Sequence, residues 1–195
     1  MKIFGITGGV ATGKSTVTQM LAEAGALTVS ADDIAREQLA PGMGLTGAVL
    51  AAFPLCRDAT GQGIDRRALG HLIFADAQAR ARLEALTHPA IIAALELQIT
   101  EWRNAGPGIA IAEIPLLFEA DLERLVDVVV VVACKETTQI TRLQTRQVVD
   151  EAEARRQIAA QWPISAKIAR ADIVINTDKG LEDTRRQVQA LWDTL

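Results

Sequence analysis

The 195-residue chain has little of what would tie it to a membrane, a nucleic acid or a resident metal. No apolar run reaches the ~18 residues that a spanning helix needs. The apolar N-terminus gives way at once to Gly8, Gly9, Gly13 and Lys14, which is not the pattern of a signal peptide. A cytoplasmic protein with no membrane partner is expected. Twenty Lys and Arg against 24 Asp and Glu leave a net charge of −4, without the basic excess of a nucleic-acid binder. A local basic cluster for a phosphate-bearing ligand remains compatible with that total. The two cysteines, Cys56 and Cys134, lie far apart, and the two histidines, His71 and His88, make no metal pattern. The thiols read as small apolar residues kept reduced. Internal repeats and low-complexity tracts are absent as well.

What is present is an alternation of strands and helices. Val- and Ile-rich runs at Lys2–Thr7, Leu27–Ser30, Ile109–Ile114, Val126–Ala133 and Ile173–Ile175 read as strands. Val128–Val132 is apolar without alternation, as in a parallel strand covered on both faces. Helical patterns fall at Ser15–Ala24, Leu69–Phe74, Ala77–Leu86, Ala90–Arg103, Thr137–Arg146, Glu151–Gln161 and Leu181–Trp192. This order predicts an α/β fold, a doubly wound five-stranded parallel sheet in three layers. Residues 1–37, 107–136 and 171–195 form its core. Residues 38–106 read as a helical insertion and 137–170 as a charged helical lid, with an ordinary crossover as the competing reading of the latter. A monomer is expected, with weak self-association left open.

The segment Gly8-Gly9-Val10-Ala11-Thr12-Gly13-Lys14-Ser15 matches G-x-x-x-x-G-K-[ST] in full, after a strand and before a helix. Glycines let successive backbone N–H groups converge on phosphate oxygens. The helix start adds partial positive charge. Lys14 reaches the β- and γ-phosphates, Ser15 ligates Mg²⁺, and Thr16 is placed for the α-phosphate. The chain therefore binds a nucleoside triphosphate or diphosphate with Mg²⁺. Switch GTPases, ATPases and small-molecule kinases share this loop, so the loop alone does not choose the reaction.

Ligands of an open parallel sheet collect at the carboxyl ends of its strands. There the sequence puts Ser30 and Asp32, then Glu113 and Pro115, then Asn176 and Asp178. Together with Ala31-Asp32-Asp33-Ile34-Ala35-Arg36, His88-Pro89, Ile114-Pro115-Leu116-Leu117-Phe118-Glu119, Gln139 with Arg142 and Arg146, and Ala171-Asp172, this series resembles the dephospho-CoA kinase family from Lys2 to about Gly180. The resemblance implies a P-loop kinase that uses ATP and Mg²⁺ to phosphorylate the ribose 3′-hydroxyl of dephospho-CoA. The alternatives are a kinase for another small acceptor, a nucleotide-driven switch, and a nucleotide-binding protein without turnover. Ala11 stands where the family usually has Gly, and Ala still allows the tight loop if its φ is negative. Glu113 stands where an Asp is common.

The resemblance puts Asp32 at the catalytic base; capping of a helix near Ile34 is the competing role. Arg36, one turn on, and Arg66 are acceptor contacts by the same reading. Arg142 and Arg146, at i and i+4, share a face that suits the charge built on a phosphoryl group in transfer; a solvated face is the alternative. Pro115, Leu116, Glu119 and His88 are assigned to the acceptor side, with a structural role competing for His88 and Glu119. Asn176 is placed to read adenine. Arg155 and Lys167 are further candidates in the lid, and Trp162 approaches the ligand if the lid closes.

Overall fold

A computed structural model describes residues 1–106 and 108–194. Pro107 and Leu195, each at an end of a segment assigned to the core, lie outside the described residues. The chain divides into two compact units, Met1–Ser30 with Gln98–Leu195, and Ala31–Leu97.

The first unit is built on a five-stranded sheet, β1 (Lys2–Gly8), β2 (Leu27–Ser30), β3 (Ile109–Glu113), β4 (Val128–Ala133) and β5 (Ile173–Asn176). The strand order is β2-β3-β1-β4-β5, with every neighbouring pair parallel. The central strands β1, β3 and β4 are almost wholly buried. That fits the unbroken apolar run at Val128–Val132, since a parallel sheet is covered on both faces. Two carboxylates fix where strands begin. Asp127 Oδ2 accepts from Ile3 N at 2.7 Å, and Asp172 Oδ2 from Val129 N at 2.7 Å. Helix α1 (Lys14–Glu23) packs Val17, Met20 and Leu21 into the main core. The C-terminal helix α9 (Leu181–Trp192) adds Val188 and Leu191 to the same cluster.

Three further helices follow β4: α6 (Glu136–Gln147), α7 (Glu151–Ala159) and α8 (Ile164–Ile168). This is the segment read as a lid, and it belongs to the first unit. Ile140, Leu143 and Ala154 form a small core that also takes in Val10 and Ala11 of the phosphate loop.

The second unit contains α2 (Ala31–Gln38), α3 (Gly44–Ala52), α4 (Arg66–Ala75) and the start of α5 (Ala77–Asn104), with a 3₁₀ turn at Pro54–Cys56. Its core is Val49, Phe53, Cys56 and Leu69. Asp65 caps α4 by accepting from Arg67 N and Ala68 N, both at 3.0 Å.

The structure departs from the sequence reading at three places. The two helices expected at Ala77–Leu86 and Ala90–Arg103 are one 28-residue helix, α5, with Pro89 inside it. Pro89 is exposed there, and its ring removes one backbone hydrogen bond while the helix continues. Helix α2 starts at Ala31 rather than near Ile34, which puts Asp32 in its first turn. The compact helical unit spans Ala31–Leu97, not 38–106, because α2 groups with it and the last turns of α5 with the sheet. No helix among the described residues is long and apolar enough to cross a membrane.

Candidate active site

The strand-to-helix connection Gly8–Lys14 is tied down from several directions. Gly8 sits at φ 149°, and a Cβ there would fall 2.1 Å from Val132 O of the neighbouring strand, so only glycine fits. Thr12 Oγ1 donates to Gly9 O at 2.9 Å. Lys14, nearly buried, folds its amine over the loop and donates to Gly9 O at 2.8 Å and Gly8 O at 3.4 Å. The amine is thereby held within the turn of the loop.

Ala11 corrects one expectation. Its φ is +57°, not negative. The left-handed region costs an L-residue about 1–2 kcal/mol, so the tight turn is made with some strain where glycine would have made it freely. The methyl group packs against the Ile140–Leu143–Ala154 cluster, which offsets part of that cost.

Helices α6 and α7 hold the loop from outside. Gln139 Nε2 donates to Val10 O at 2.6 Å, and Val10 N donates to Gln161 Oε1 at 2.8 Å, so one loop residue has both backbone groups satisfied by glutamines. A Cβ on Gly9 would lie 2.6 Å from Gln139 Nε2. Arg142 donates through Nη1 to Ala11 O and Thr12 O, each at 3.2 Å, and through Nη2 to Thr177 O at 2.8 Å. Thr177, just past β5, donates its own hydroxyl to Thr12 O at 2.7 Å. Arg142 is thus braced against the loop, while Arg146, one turn further, is exposed.

A cleft of about 480 Å³ lies on this flank, lined by Ala11, Gly13 and Thr16 of the loop, by Arg142 and Arg146, and by Thr177, Gly180 and Leu181. Its size suits a nucleotide base and ribose. Asn176 does not line it. The Asn176 side chain accepts from Asp178 N at 2.9 Å and so shapes the turn that carries Thr177.

At the mouth of the loop, Ser15 Oγ donates to Glu113 Oε1 at 2.9 Å. Glu113 is the last residue of β3 and is 4% exposed. No group of three or more metal-ligating side chains exists among the described residues. A hydroxyl and one carboxylate suit Mg²⁺ all the same, because that ion keeps several waters and shares its shell with nucleotide phosphates.

Beyond Glu113, the segment from Pro115 to Glu119 is locked from below. Lys167 of α8 is fully buried. Its Nζ donates to Pro115 O at 2.9 Å and pairs with Glu119 Oε1 at 2.9 Å. Thr7 Oγ1 also donates to Pro115 O, at 3.1 Å, and Trp162 N donates to Glu119 Oε1 at 2.9 Å. Burial pushes the Lys167 amine below its ordinary value, against the pull of Glu119 in the other direction. Glu119 therefore braces the chain in this structure, and Leu116 is half-buried beside it.

The remaining candidates lie in the helical unit. Asp32 and Arg36 are exposed, one turn apart on α2, and Arg36 pairs with Asp33. Arg66 Nη2 donates to Arg36 O at 3.1 Å, so Arg66 closes the end of α2 and brings the two arginines together. His88 is half-buried in the middle of α5, not at a helix start. Both cysteines are buried and unpaired with each other, as their use as small apolar residues requires.

Sequence reasoning gave Gln139 no role and did not single out Gln161 or Thr177. Each binds the loop across more than 100 residues of chain, and none belongs to the loop motif. Lys167 carried a signal, a lone cation between apolar neighbours on a short helix.

A parallel sheet with the phosphate loop after its central strand, a carboxylate beside the loop serine and a nucleotide-sized cleft alongside define a P-loop kinase core. Shikimate kinase from Acinetobacter baumannii shares this fold, at a TM-score of 0.53 and 16% identity over 100% of this chain and 92% of that one. The chain belongs to the dephospho-CoA kinase (CoaE) family, whose model matches residues 2–183. It is 41% identical to the dephospho-CoA kinase of Geobacter sulfurreducens over 98% of both chains. The solved dephospho-CoA kinase of Campylobacter jejuni aligns with a TM-score of 0.67 and 27% identity, over 99% of this chain and 96% of that one.

Proposed function

We propose that the protein transfers the γ-phosphoryl group of ATP to the ribose 3′-hydroxyl of dephospho-CoA, giving CoA and ADP. The observation that carries this reading is the hydrogen bond of Ser15 to the buried Glu113, beside a loop that already holds Lys14 in its cradle. It supports a site for a metal-bound nucleotide rather than a bare glycine-rich turn.

In this reading Gly8, Gly9, Val10, Ala11, Thr12, Gly13 and Lys14 wrap the phosphates with backbone N–H groups and one ammonium. Thr16 meets the α-phosphate, and the base lies in the cleft beside Thr177 and Leu181. Ser15 and Glu113 would hold Mg²⁺, which would supply charge neutralisation for the transfer. The acceptor oxygen attacks the γ-phosphorus while the bond from that phosphorus to the β–γ bridging oxygen breaks, and ADP leaves. Asp32 orients the hydroxyl and takes its proton. The half-exposed position of Arg142 and the reach of Arg146 support a part for both in holding the equatorial oxygens. Arg36, Arg66 and His88 are assigned to the acceptor, and so are Pro115 and Leu116. Glu119 is assigned to holding that wall through Lys167. The reading takes the enzyme as a cytoplasmic monomer, with weak self-association left open.

The test is the mass of the products after incubation with MgATP and dephospho-CoA. One phosphoryl group gained by the acceptor, with ADP formed in equal amount, is expected. Consumption of ATP with dephospho-CoA unchanged would overturn the acceptor and leave the nucleotide site standing.

A further inference from the structure

Val10 has both of its backbone groups taken by glutamine side chains. A carbonyl only accepts and an N–H only donates, so the polarity of each glutamine is fixed. Gln139 must present its NH₂ to Val10 O, and Gln161 its amide oxygen to Val10 N–H. Gln139 is 2% exposed on α6, and Gln161 follows the end of α7. Gln157 of α7 donates to Gln147 at the end of α6 at 2.9 Å, so the two helices are tied to each other as well.

A trans peptide is planar, with its C=O and N–H on opposite edges. No peptide bond among the described residues is cis, so each glutamine sets a whole peptide plane. Gln161 draws on Val10 N–H. The opposite edge of that plane is Gly9 O, which receives Lys14 Nζ at 2.8 Å, Thr12 Oγ1 at 2.9 Å and Thr12 N at 3.4 Å. Gln139 draws on Val10 O, and the opposite edge of the next plane is Ala11 N–H. That group makes no backbone hydrogen bond among the described residues. An open N–H in a glycine-rich loop ahead of a helix start is what a phosphate oxygen takes up.

Ala11 shows what the second plane is held against. At φ +57° it stands in the left-handed region, which an L-residue leaves when it can. Turning over the Val10–Ala11 plane changes ψ of Val10 and φ of Ala11 together. It would take Ala11 out of the left-handed region and put a carbonyl oxygen where the N–H now is, the wrong charge for a phosphate. Arg142 holds the following plane through Ala11 O at 3.2 Å, which leaves the Val10–Ala11 plane to Gln139.

We propose that Gln139 and Gln161 are positioning residues for the nucleotide phosphates. Gln139 keeps the Val10–Ala11 plane turned so that Ala11 N–H is offered as a phosphate donor, and Gln161 keeps Gly9 O turned to the Lys14 amine. The proposal rests on the nucleotide site of the reading above and is independent of the choice of acceptor.

The experiment titrates the full chain with MgADP in a calorimeter near neutral pH and records the thermal unfolding of every variant. Gln139→Met removes the donor at similar volume and should weaken MgADP roughly tenfold or more, the worth of one hydrogen bond to a charged group. Gln161→Met removes the acceptor and should weaken it by a smaller factor. The decisive pair is Gln139→Glu and Gln161→Glu, which set the same charge against the same loop residue. A carboxylate at 161 still accepts from Val10 N–H, so Gln161→Glu should recover most of what Gln161→Met loses. A carboxylate at 139 has no proton for Val10 O, so Gln139→Glu should bind MgADP at least as weakly as Gln139→Met. A change that merely loosened the fold would follow the unfolding temperature and ignore the direction of the hydrogen bond. Equal affinities in the two Glu variants, or losses that track unfolding temperature, would overturn the proposal and leave the nucleotide site standing. A parent chain that does not bind MgADP would overturn both.

Discussion

The two units hold their candidate residues in opposite ways. In the sheet unit Lys14 and Arg142 are fastened by hydrogen bonds to loop carbonyls, Ser15 to a buried carboxylate, and the loop itself to two glutamines. In the helical unit Asp32, Arg36 and Arg66 are exposed on helix surfaces. The cores differ too. The main cluster of the sheet unit has twelve buried side chains, and that of the helical unit has four among the described residues. Local stability follows buried apolar contact, so the helical unit should open first in hydrogen exchange. The difference teaches that the loop residues are fastened before any ligand arrives, while the candidates on the helical unit stand on exposed helix surface. Such an arrangement is common where catalytic hydrogen bonds tighten only in the complex.

The sharpest way to break this comparison is at Asp32. If the exposed unit carries the base, Asp32→Asn should lower kcat roughly 10²–10⁴-fold, the range of a positioned general base. ATP affinity, set in the other unit, should be unchanged in a binding titration. A kcat within a few-fold of the parent would strip the helical unit of the chemistry and leave Asp32 as a first-turn residue complementing the dipole of α2.

A second test removes a brace from the fastened half. Lys167→Met leaves the half-buried Glu119 with only the Trp162 N–H in place of its cation, and Pro115 O with Thr7 alone. Breaking a buried pair costs about 3–5 kcal/mol, and because Glu119 keeps some contact with solvent the low end is expected in urea unfolding. The double variant Lys167→Met/Glu119→Leu should recover part of it. The sign with pH is fixed by burial. The folded pKa of Lys167 lies below its unfolded value, so the unfolded chain binds more protons in the window between the two. Parental stability should therefore rise with pH as it climbs through that window, and the Met variant should lack the rise. A Met variant as stable as the parent would mean that the segment after β3 holds its shape unaided.

A third, smaller effect is expected at Asp178. Burial pushes its carboxyl up, but hydrogen bonds from Lys135 N, the Thr138 hydroxyl and Asn176 outweigh that and hold it below the ordinary value. It thereby ties the turn after β5 to the start of α6, which has no side-chain cap of its own. Asp178→Ala should cost about 1–2 kcal/mol near neutral pH, the worth of charged hydrogen bonds at a half-buried site. The folded pKa is depressed, so the contribution is present above the unfolded value and disappears as pH falls through the folded one. Melting curves of parent and variant should converge in acid. A gap that persists at low pH would assign the effect to packing.

How much of this was legible in the sequence follows from how local each feature is. The five strands fall within two residues of their apolar runs, and α9 matches Leu181–Trp192, because period and punctuation are local. The phosphate loop is local as well. The fusion of two helices across Pro89 was not legible, since a proline inside a helical pattern ordinarily marks a boundary. Nor were the contacts of Gln161, Thr177 and Lys167, which span 151, 165 and 52 residues of chain. Asp32 and Arg36 were singled out by strand-end position and family resemblance. The structure bears out the one-turn spacing read for them, with both on α2.

The smallest expected effect lies within the fastened half, at the one loop residue whose backbone is strained. Left-handed φ at Ala11 is relieved by Ala11→Gly, but the Gly variant also loses the methyl contact with Ile140, Leu143 and Ala154 and gains freedom when unfolded. The cost removed is about 1–2 kcal/mol and the losses are of similar kind, so a net gain of about 0.5–1 kcal/mol is expected in thermal unfolding. The more telling readout is the affinity for ATP. If the loop is set by Gln139, Gln161 and Arg142, the variant should bind ATP as the parent does. Weaker binding with a more stable fold would mean that the Ala11 methyl, pressed against α6, is itself part of what keeps the cradle in shape.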